Sequence, residues 1–267
     1  MQSQAIEARK WILKSITAAG SGHPGGSLSC IDLLLVLYRD ILKHDPRNPK
    51  DPDRDRFILS KGHGAPALYV ALGLSGYYPV EDVMTLRKLG SRFQGHPDIR
   101  FLSLLEASTG SLGQGISVGI GAALAARLDG KGYHTYVMVG DGECQEGQVW
   151  EAALFAGDHK LDNLTVIVDN NGFQLDDATN KILPMEPWAA KWESFGFKAY
   201  TCDGHDPEAA KKAILQARDD KAPSVVLAKT VKGKGISFME NNNDFHGKAP
   251  TPAQLEQALK ELEAAHV

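Results

Sequence analysis

Two short segments place oxygen donors where a ligand could be gripped: Gly140-Asp141-Gly142, and Asn170-Asn171 thirty positions after it. Each follows an apolar, β-branched run, HTYVMV (134–139) before the first and LTVIV (164–168) before the second. Runs of this kind, bounded by turn residues, read as buried strands of a parallel sheet. Open α/β sheets bind ligands at the carboxyl ends of their strands. One carboxylate and one amide oxygen on neighbouring strand ends suit Mg2+ held together with a diphosphate. The ion takes oxygen ligands octahedrally and needs few protein carboxylates when phosphate oxygens supply the rest. A second carboxylate would add negative charge where a diphosphate already brings it, whereas neutral Asn does not. Either segment alone has a plainer reading, since Gly-Asp-Gly is a common turn and Asn171-Gly172 a strong hairpin signal. Together, at this separation and after two strand runs, they point to a Mg2+-diphosphate site built on Asp141 and Asn171. Gly142 would let backbone approach a diphosphate oxygen with no side chain in the way.

Histidine placement is the second informative pattern. Of nine histidines, four sit in Gly-flanked or Gly-Pro loops: His23 (SGHPGG), His63 (KGHGAP), His96 (QGHPD) and His246 (DFHGKAP). Glycine beside a polar ring suggests loops that approach a ligand closely. Imidazoles near neutral pH can donate hydrogen bonds to phosphate and sugar oxygens and can shuttle protons. His205 (CDGHDP) is assigned to a turn, and His44, His134, His159 and His266 to structural or solvated positions. The Gly110–Gly115 loop (GSLGQG) lacks both the Lys-Ser/Thr of a Walker loop and the G-x-G-x-x-G spacing. Lys232 and Lys234 (VKGKG) read as an ordinary solvated loop, with phosphate contact as the alternative.

The elements that must position these residues alternate. Strands are expected at 57–59, 135–140, 164–169, 197–202 and 224–229. Helices are expected near 4–19, 29–41, 64–74, 80–90, 113–128, 147–159, 188–195, 207–219 and 252–264, with a Gly-rich loop at 20–27. Asp206-Pro207-Glu208 has the form of a helix start. This alternation predicts an α/β fold, a parallel sheet covered by helices on both faces. The charged, Pro-rich stretch 44–56 reads as an excursion within one domain spanning 1–267. A net charge of −4 gives no basic field for nucleic acid. The longest apolar run, 31–38, is far too short to span a bilayer, and the N-terminus lacks a signal-peptide core. Three widely spaced cysteines form no disulfide framework or zinc pattern, which fits a reducing, cytoplasmic setting.

The stretch GDGECQEGQVWEAALFAGDHKLDNLTVIVDNN resembles the metal-diphosphate signature of thiamine diphosphate enzymes, and transketolases in particular. So do SGHPGGSLS (21–29), DRFILSKGHGAPALY (55–69), GHPD (95–98) and STGSLGQG (108–115), in the family's own order. The resemblance implies the diphosphate-binding domain of the thiamine diphosphate-binding fold. Its cofactors would be thiamine diphosphate and Mg2+, with Ca2+ or Mn2+ as substitutes. It implies Asp141, Asn171 and the Phe173 carbonyl as metal ligands. Diphosphate contacts would come from His63 and His246, and other cofactor contacts from Gly110, Leu112 and Gly142. His23, His63, His96 and His246 would face the donor's C1 and C2 oxygens. Glu146 would match a family glutamate linking two active sites across a subunit interface; a plain first-turn helix glutamate is the alternative. Ser111 departs from the Pro many members carry, where contacts come from backbone. The pyrimidine-binding and C-terminal domains of full-length transketolases have no counterpart here. The expectation is therefore the N-terminal subunit of a split transketolase, active with a C-terminal subunit in an α2β2 heterotetramer and acting on ketose and aldose phosphates in the pentose phosphate pathway. The alternatives are a split transketolase for an unusual sugar or sulfo-sugar phosphate, another thiamine diphosphate enzyme, or a non-catalytic cofactor-binding paralogue.

Overall fold

The computed structural model describes residues 2–264; His266 lies outside them. Five strands, β1 (Arg56–Leu59), β2 (Thr135–Gly140), β3 (Leu164–Asn170), β4 (Lys198–Asp203) and β5 (Ser224–Lys229), form one sheet in the order β1-β2-β3-β5-β4. Every pairing is parallel. Helices α1 (Gln2–Ala19), α2 (Pro24–Val36), α3 (Ala65–Leu74), α4 (Gln114–Leu128), α5 (Gly147–Asp158), α6 (Thr179–Ile182), α7 (Trp188–Ser194), α8 (Pro207–Asp219) and α9 (Pro252–Ala264) surround it.

Two cores flank the sheet, and the strands feed both because successive side chains point to opposite faces. Tyr136 and Met138 of β2 join α1, α2, α3 and α8 on one side. Val137 and Val139 of the same strand join α4, α5 and α7 on the other. Apolar residues at every position of a central strand are what two covered faces require. Gly119 lets α4 lie directly against β2, since a Cβ there would overlap Val137.

The five expected strands are all present within about one residue, and the fold class is the one expected. Three local expectations fail. Helix α2 begins at Pro24, so the Gly-rich loop is shorter than 20–27; Pro fits the first helical turn because its missing N–H has no partner to lose there. The helix ends at Val36 and passes into a π turn, Leu37–Ile41. The segment 80–90 forms only a 3-10 turn, Val80–Thr85. Leu86 is extended, and Arg87 and Gly90 take positive φ of 58° and 76°, which no α-helix accommodates. By contrast, α8 starts as read: the Asp206 carboxylate accepts from the N–H groups of Glu208 and Ala209. The 44–56 excursion carries no helix or strand before Arg56, and Asp55 ties it down by accepting from the backbone of Lys43 and His134.

Candidate active site

Strand register brings the two oxygen donors together. Gly140 pairs with Asp169 across β2 and β3, so Asp141 and Asn171 each lie one residue past the end of adjacent strands. Asp141 is 1% exposed. Its Oδ2 accepts from the Gly172 N–H at 2.7 Å and from Thr179 Oγ1 at 3.4 Å. Its Oδ1 is buried with no hydrogen-bond partner. Burial, with Asp169 nearby, pushes the Asp141 carboxyl up to about 7. A buried carboxylate with one idle oxygen is costly unless a cation completes it. Asn171 Oδ1 accepts from the Phe173 N–H at 3.2 Å, while its amide nitrogen donates to Asp169 at 3.3 Å, which orients the carboxamide. Among the described residues no three His, Cys, Asp or Glu side chains are grouped for a metal. A site of one carboxylate, one amide and one backbone carbonyl is not such a group; its chemistry suits a hard ion whose remaining ligands come with a phosphate.

These residues share a cavity of about 340 Å3. His63, Leu112, Asp141, Gly142, Glu146, Asn171, Phe173 and His246 all line it, each of them expected at the site from sequence. The four loop histidines gather as well. His23 stands 5.5 Å from His63, 5.9 Å from His96 and 5.7 Å from His246, ring centre to ring centre, and His63 stacks on His246 at 5.4 Å. Gly110, at φ 140°, packs beneath His96, 3.1 Å from that ring's Cγ at its missing Cβ. Burial lowers all four rings: His23 to about 4 and His246 to about 3, with His96 adding to the first and Lys232 to the second. The cluster is therefore neutral at pH 7, able to donate and accept at once. His23 Nδ1 is also buried without a partner.

Lys61 and Glu143 also line the cavity and, with Asp169, form a buried charged layer that no sequence motif singles out. Lys61, fully buried, donates to Asp169 and to the Gly26 carbonyl, the latter at 2.9 Å. Asp169 also accepts from Ser29 at 2.6 Å and from Thr230. Burial opposes the Asp169 carboxylate, but Lys61 and the two hydroxyls outweigh it and hold it below the usual carboxylate range. Glu143, 2% exposed, spends its oxygens on Ser60 at 2.5 Å and on the N–H groups of Gly113 and Gly140 at 2.8 and 3.0 Å. It braces the 110–113 loop, with both of its oxygens engaged in hydrogen bonds. A signal for Asp169 existed, a carboxylate closing the apolar run LTVIV; Lys61 had none beyond its place before Gly62-His63.

One other expectation needs correction. Lys232 is not a solvated loop residue: it is 1% exposed, and its ammonium lies 2.9 Å from His246 Nδ1, 2.5 Å from Asn243 Oδ1 and 3.4 Å from the Gln174 carbonyl. Lys234 stays at the surface beside Glu240. His205 lies in a turn as expected but is also bonded to Asp32 and Val231. Gly142 has a reason for its missing side chain besides ligand approach, because a Cβ there would stand 2.5 Å from Gln174 Cβ. Glu146 is exposed on the cavity rim at the start of α5, with no capping bond. His44 bonds the Tyr38 carbonyl and Tyr77, His134 bonds Thr165, and His159 stacks on Phe155, all structural roles.

The cavity, the buried carboxylate with one unpaired oxygen and the neutral histidine cluster at the carboxyl edge of a parallel sheet make this a ligand-binding α/β domain. Residues 1–264 match the family model described as transketolase, thiamine diphosphate binding domain, and the chain belongs to that family. It is 45% identical over 264 residues to the 6-deoxy-6-sulfo-D-fructose transketolase subunit of a Clostridium species, covering 98% of this chain and 96% of that protein. It is 39% identical to an apulose-4-phosphate transketolase subunit of Phocaeicola vulgatus, covering 98% and 93%. Human transketolase matches at 38% identity over 94% of this chain but only 40% of its own length. The crystal structure of Campylobacter jejuni transketolase superposes with a TM-score of 0.92 at 35% identity, covering 98% of this chain and 42% of that one. The chain thus spans about two-fifths of the full-length transketolases it matches, and nearly the whole of the transketolase subunits. Among the described residues no helix is long and apolar enough to cross a membrane.

Proposed function

We propose that this chain is the N-terminal subunit of a two-chain transketolase and supplies the metal- and diphosphate-binding half of the active site. The observation that carries the metal assignment is the buried, unpartnered Asp141 Oδ1 beside Asn171 in the cavity. Asp141, Asn171 and the Phe173 carbonyl would hold Mg2+, with Ca2+ or Mn2+ as substitutes. His63, His246 and Lys232 would face the diphosphate; Gly110, Leu112 and Gly142 would lie against the cofactor. When bound, thiamine diphosphate supplies the carbanion and the electron sink for moving a two-carbon ketol unit from a ketose phosphate to an aldose phosphate. The neutral rings of His23, His63, His96 and His246 then donate hydrogen bonds to the donor's C1 and C2 oxygens. They can also take up and return the hydroxyl proton as the carbon–carbon bond is cut and remade. Glu146, exposed on the rim, fits a contact between active sites in an α2β2 assembly. The partner would carry the pyrimidine-binding domain and most of the grip on the sugar's far end.

Similarity to the sulfo-fructose enzyme's chain supports a second reading of the substrate, a 6-sulfo ketose in place of a ketose phosphate. Three free cysteines fit a cytoplasmic setting. Calorimetry on the two-chain complex tests the metal assignment. Asp141→Ala should abolish Mg2+-dependent thiamine diphosphate binding while leaving the circular dichroism spectrum intact, and unchanged affinity would refute it. Substantial ketol transfer by the chain alone would refute the two-chain reading.

A further inference from the structure

His205 is the Gly-flanked histidine that the site does not absorb, and it belongs to a buried network 173 positions in sequence from its partner Asp32. The Val231 N–H donates to His205 Nε2 at 2.8 Å, which places the ring's proton on Nδ1. That nitrogen donates to Asp32 Oδ2 at 2.6 Å. Asp32 also takes a two-pronged contact from Arg9, at 2.9 Å to Oδ1 and 2.6 Å to Oδ2. Arg9 Nε in turn donates to the Lys234 carbonyl at 3.1 Å. Arg9 and Asp32 are 6% and 7% exposed. One carboxylate on α2 therefore orients two groups, from α1 and from the turn before α8, and these bind the two ends of one loop. That loop is Val231–Lys234, and its middle carries Lys232.

The rest of the loop is fitted against the start of α2. Its Gly233 N–H donates to the Gly25 carbonyl at 3.0 Å, and the Lys232 stem lies against Gly25, where a Cβ would stand 3.1 Å from Lys232 Cγ. A buried ammonium holds one direction only if its backbone is fixed, because its four-carbon stem is otherwise free. A buried arginine–carboxylate–histidine set is a costly way to anchor a loop whose only task is packing, since apolar residues would serve as well or better.

We infer that Arg9, Asp32 and His205 are positioning residues that clamp the 231–234 loop so that Lys232 is presented to the cofactor's diphosphate. This rests on the proposed reading of the cavity and extends it to three residues outside it. None of the three lines the cavity, and Lys232 reaches it from behind the lining residues His246 and Gln174, so each of the three acts through Lys232.

The test is a double-mutant cycle in the two-chain enzyme, reading the half-saturating concentration of thiamine diphosphate and the turnover at saturation. Lys232→Met should raise the half-saturating concentration at least tenfold. His205→Ala should raise it about tenfold, with saturated turnover within about twofold of wild type. His205→Gln, whose amide can still accept from Val231 and donate to Asp32, should recover most of the loss. In the Lys232→Met background, His205→Ala should add less than twofold. Hydrogen exchange gives a second readout: the Val231 amide should lose protection in His205→Ala while the strand amides keep theirs. Equal effects of His205→Ala in both backgrounds, or unchanged cofactor affinity with a freely exchanging Val231, would overturn the inference while Lys232→Met still weakens binding. No effect of Lys232→Met would instead overturn both the inference and the diphosphate role given to that lysine.

Discussion

Removing the Asp141 charge should have opposite consequences for the protein without metal and for its capacity to bind metal. Burial and the neighbouring Asp169 lift the Asp141 carboxyl from 3.8 to about 7. In the unfolded chain the group ionises near its ordinary value. Its stabilising contribution is therefore fully present below about pH 4 and is lost as the pH rises through about 7. At about 1.4 kcal/mol for each pH unit between those two values, the loss is on the order of 4 kcal/mol by pH 8. Asp141→Asn keeps the shape, and its amide oxygen can still accept from the Gly172 N–H that Oδ2 now takes at 2.7 Å. The metal-free variant should thus be more stable than wild type at pH 8, by about 1–4 kcal/mol, and indistinguishable from it near pH 4. The same substitution removes the only anionic donor assigned to the ion, so Mg2+-dependent cofactor binding should be lost. Urea unfolding of both proteins without metal across about pH 4–8, paired with calorimetry, measures the two effects. Parallel stability profiles would show that Asp141 is not held against its charge, and the waiting cation site would lose its support.

Other outcomes follow from the same geometry. Replacing His96 by Ala should slow turnover by about 100-fold or more while changing cofactor affinity little, because the ring lies with the histidine cluster and not on the diphosphate cavity; a kcat–KM comparison reads this. Gly142→Ala puts a methyl 2.5 Å from Gln174 Cβ, so the 173–174 loop must shift, and Mg2+-dependent cofactor binding should weaken at least tenfold by calorimetry with the fold retained. In Glu143→Gln, one of the oxygens that accept from Gly113, Gly140 and Ser60 becomes a donor, which should cost about 1–3 kcal/mol in urea unfolding. The rings of His23 and His246, lowered to about 4 and about 3, should show no titration by NMR between pH 8 and 5.5. A ring changing charge near 6.5 at either position would contradict their burial.

The parallel strands were legible because β-branched apolar residues fill both faces of a buried strand, and Val137 and Met138 duly enter different cores. The four loop histidines were legible because flanking glycines mark loops, and the rings do gather, His23 standing 5.5, 5.9 and 5.7 Å from His63, His96 and His246. Pairings across long stretches of chain were not legible. Nothing near Lys61 announces Asp169, 108 positions away, and nothing in the DGH turn announces Asp32. Lys232 misled because charge interleaved with glycine usually means solvent; here the stem is roofed by Gly25 and the ammonium is satisfied by Asn243 and His246. The helix expected over 80–90 failed for a local reason, the left-handed Arg87, which no rule based on apolar spacing detects.

The Lys61–Asp169 pair has a consequence for how this domain can change over time. Both charges are sealed from water, and each is tolerated only because the other is there. A single substitution at either position strands an ion in the interior, so the two must be exchanged in one step or not at all. Since the hydroxyls of Ser29 and Thr230 hang on the same carboxylate, four distant segments of the chain are bound to a common fate.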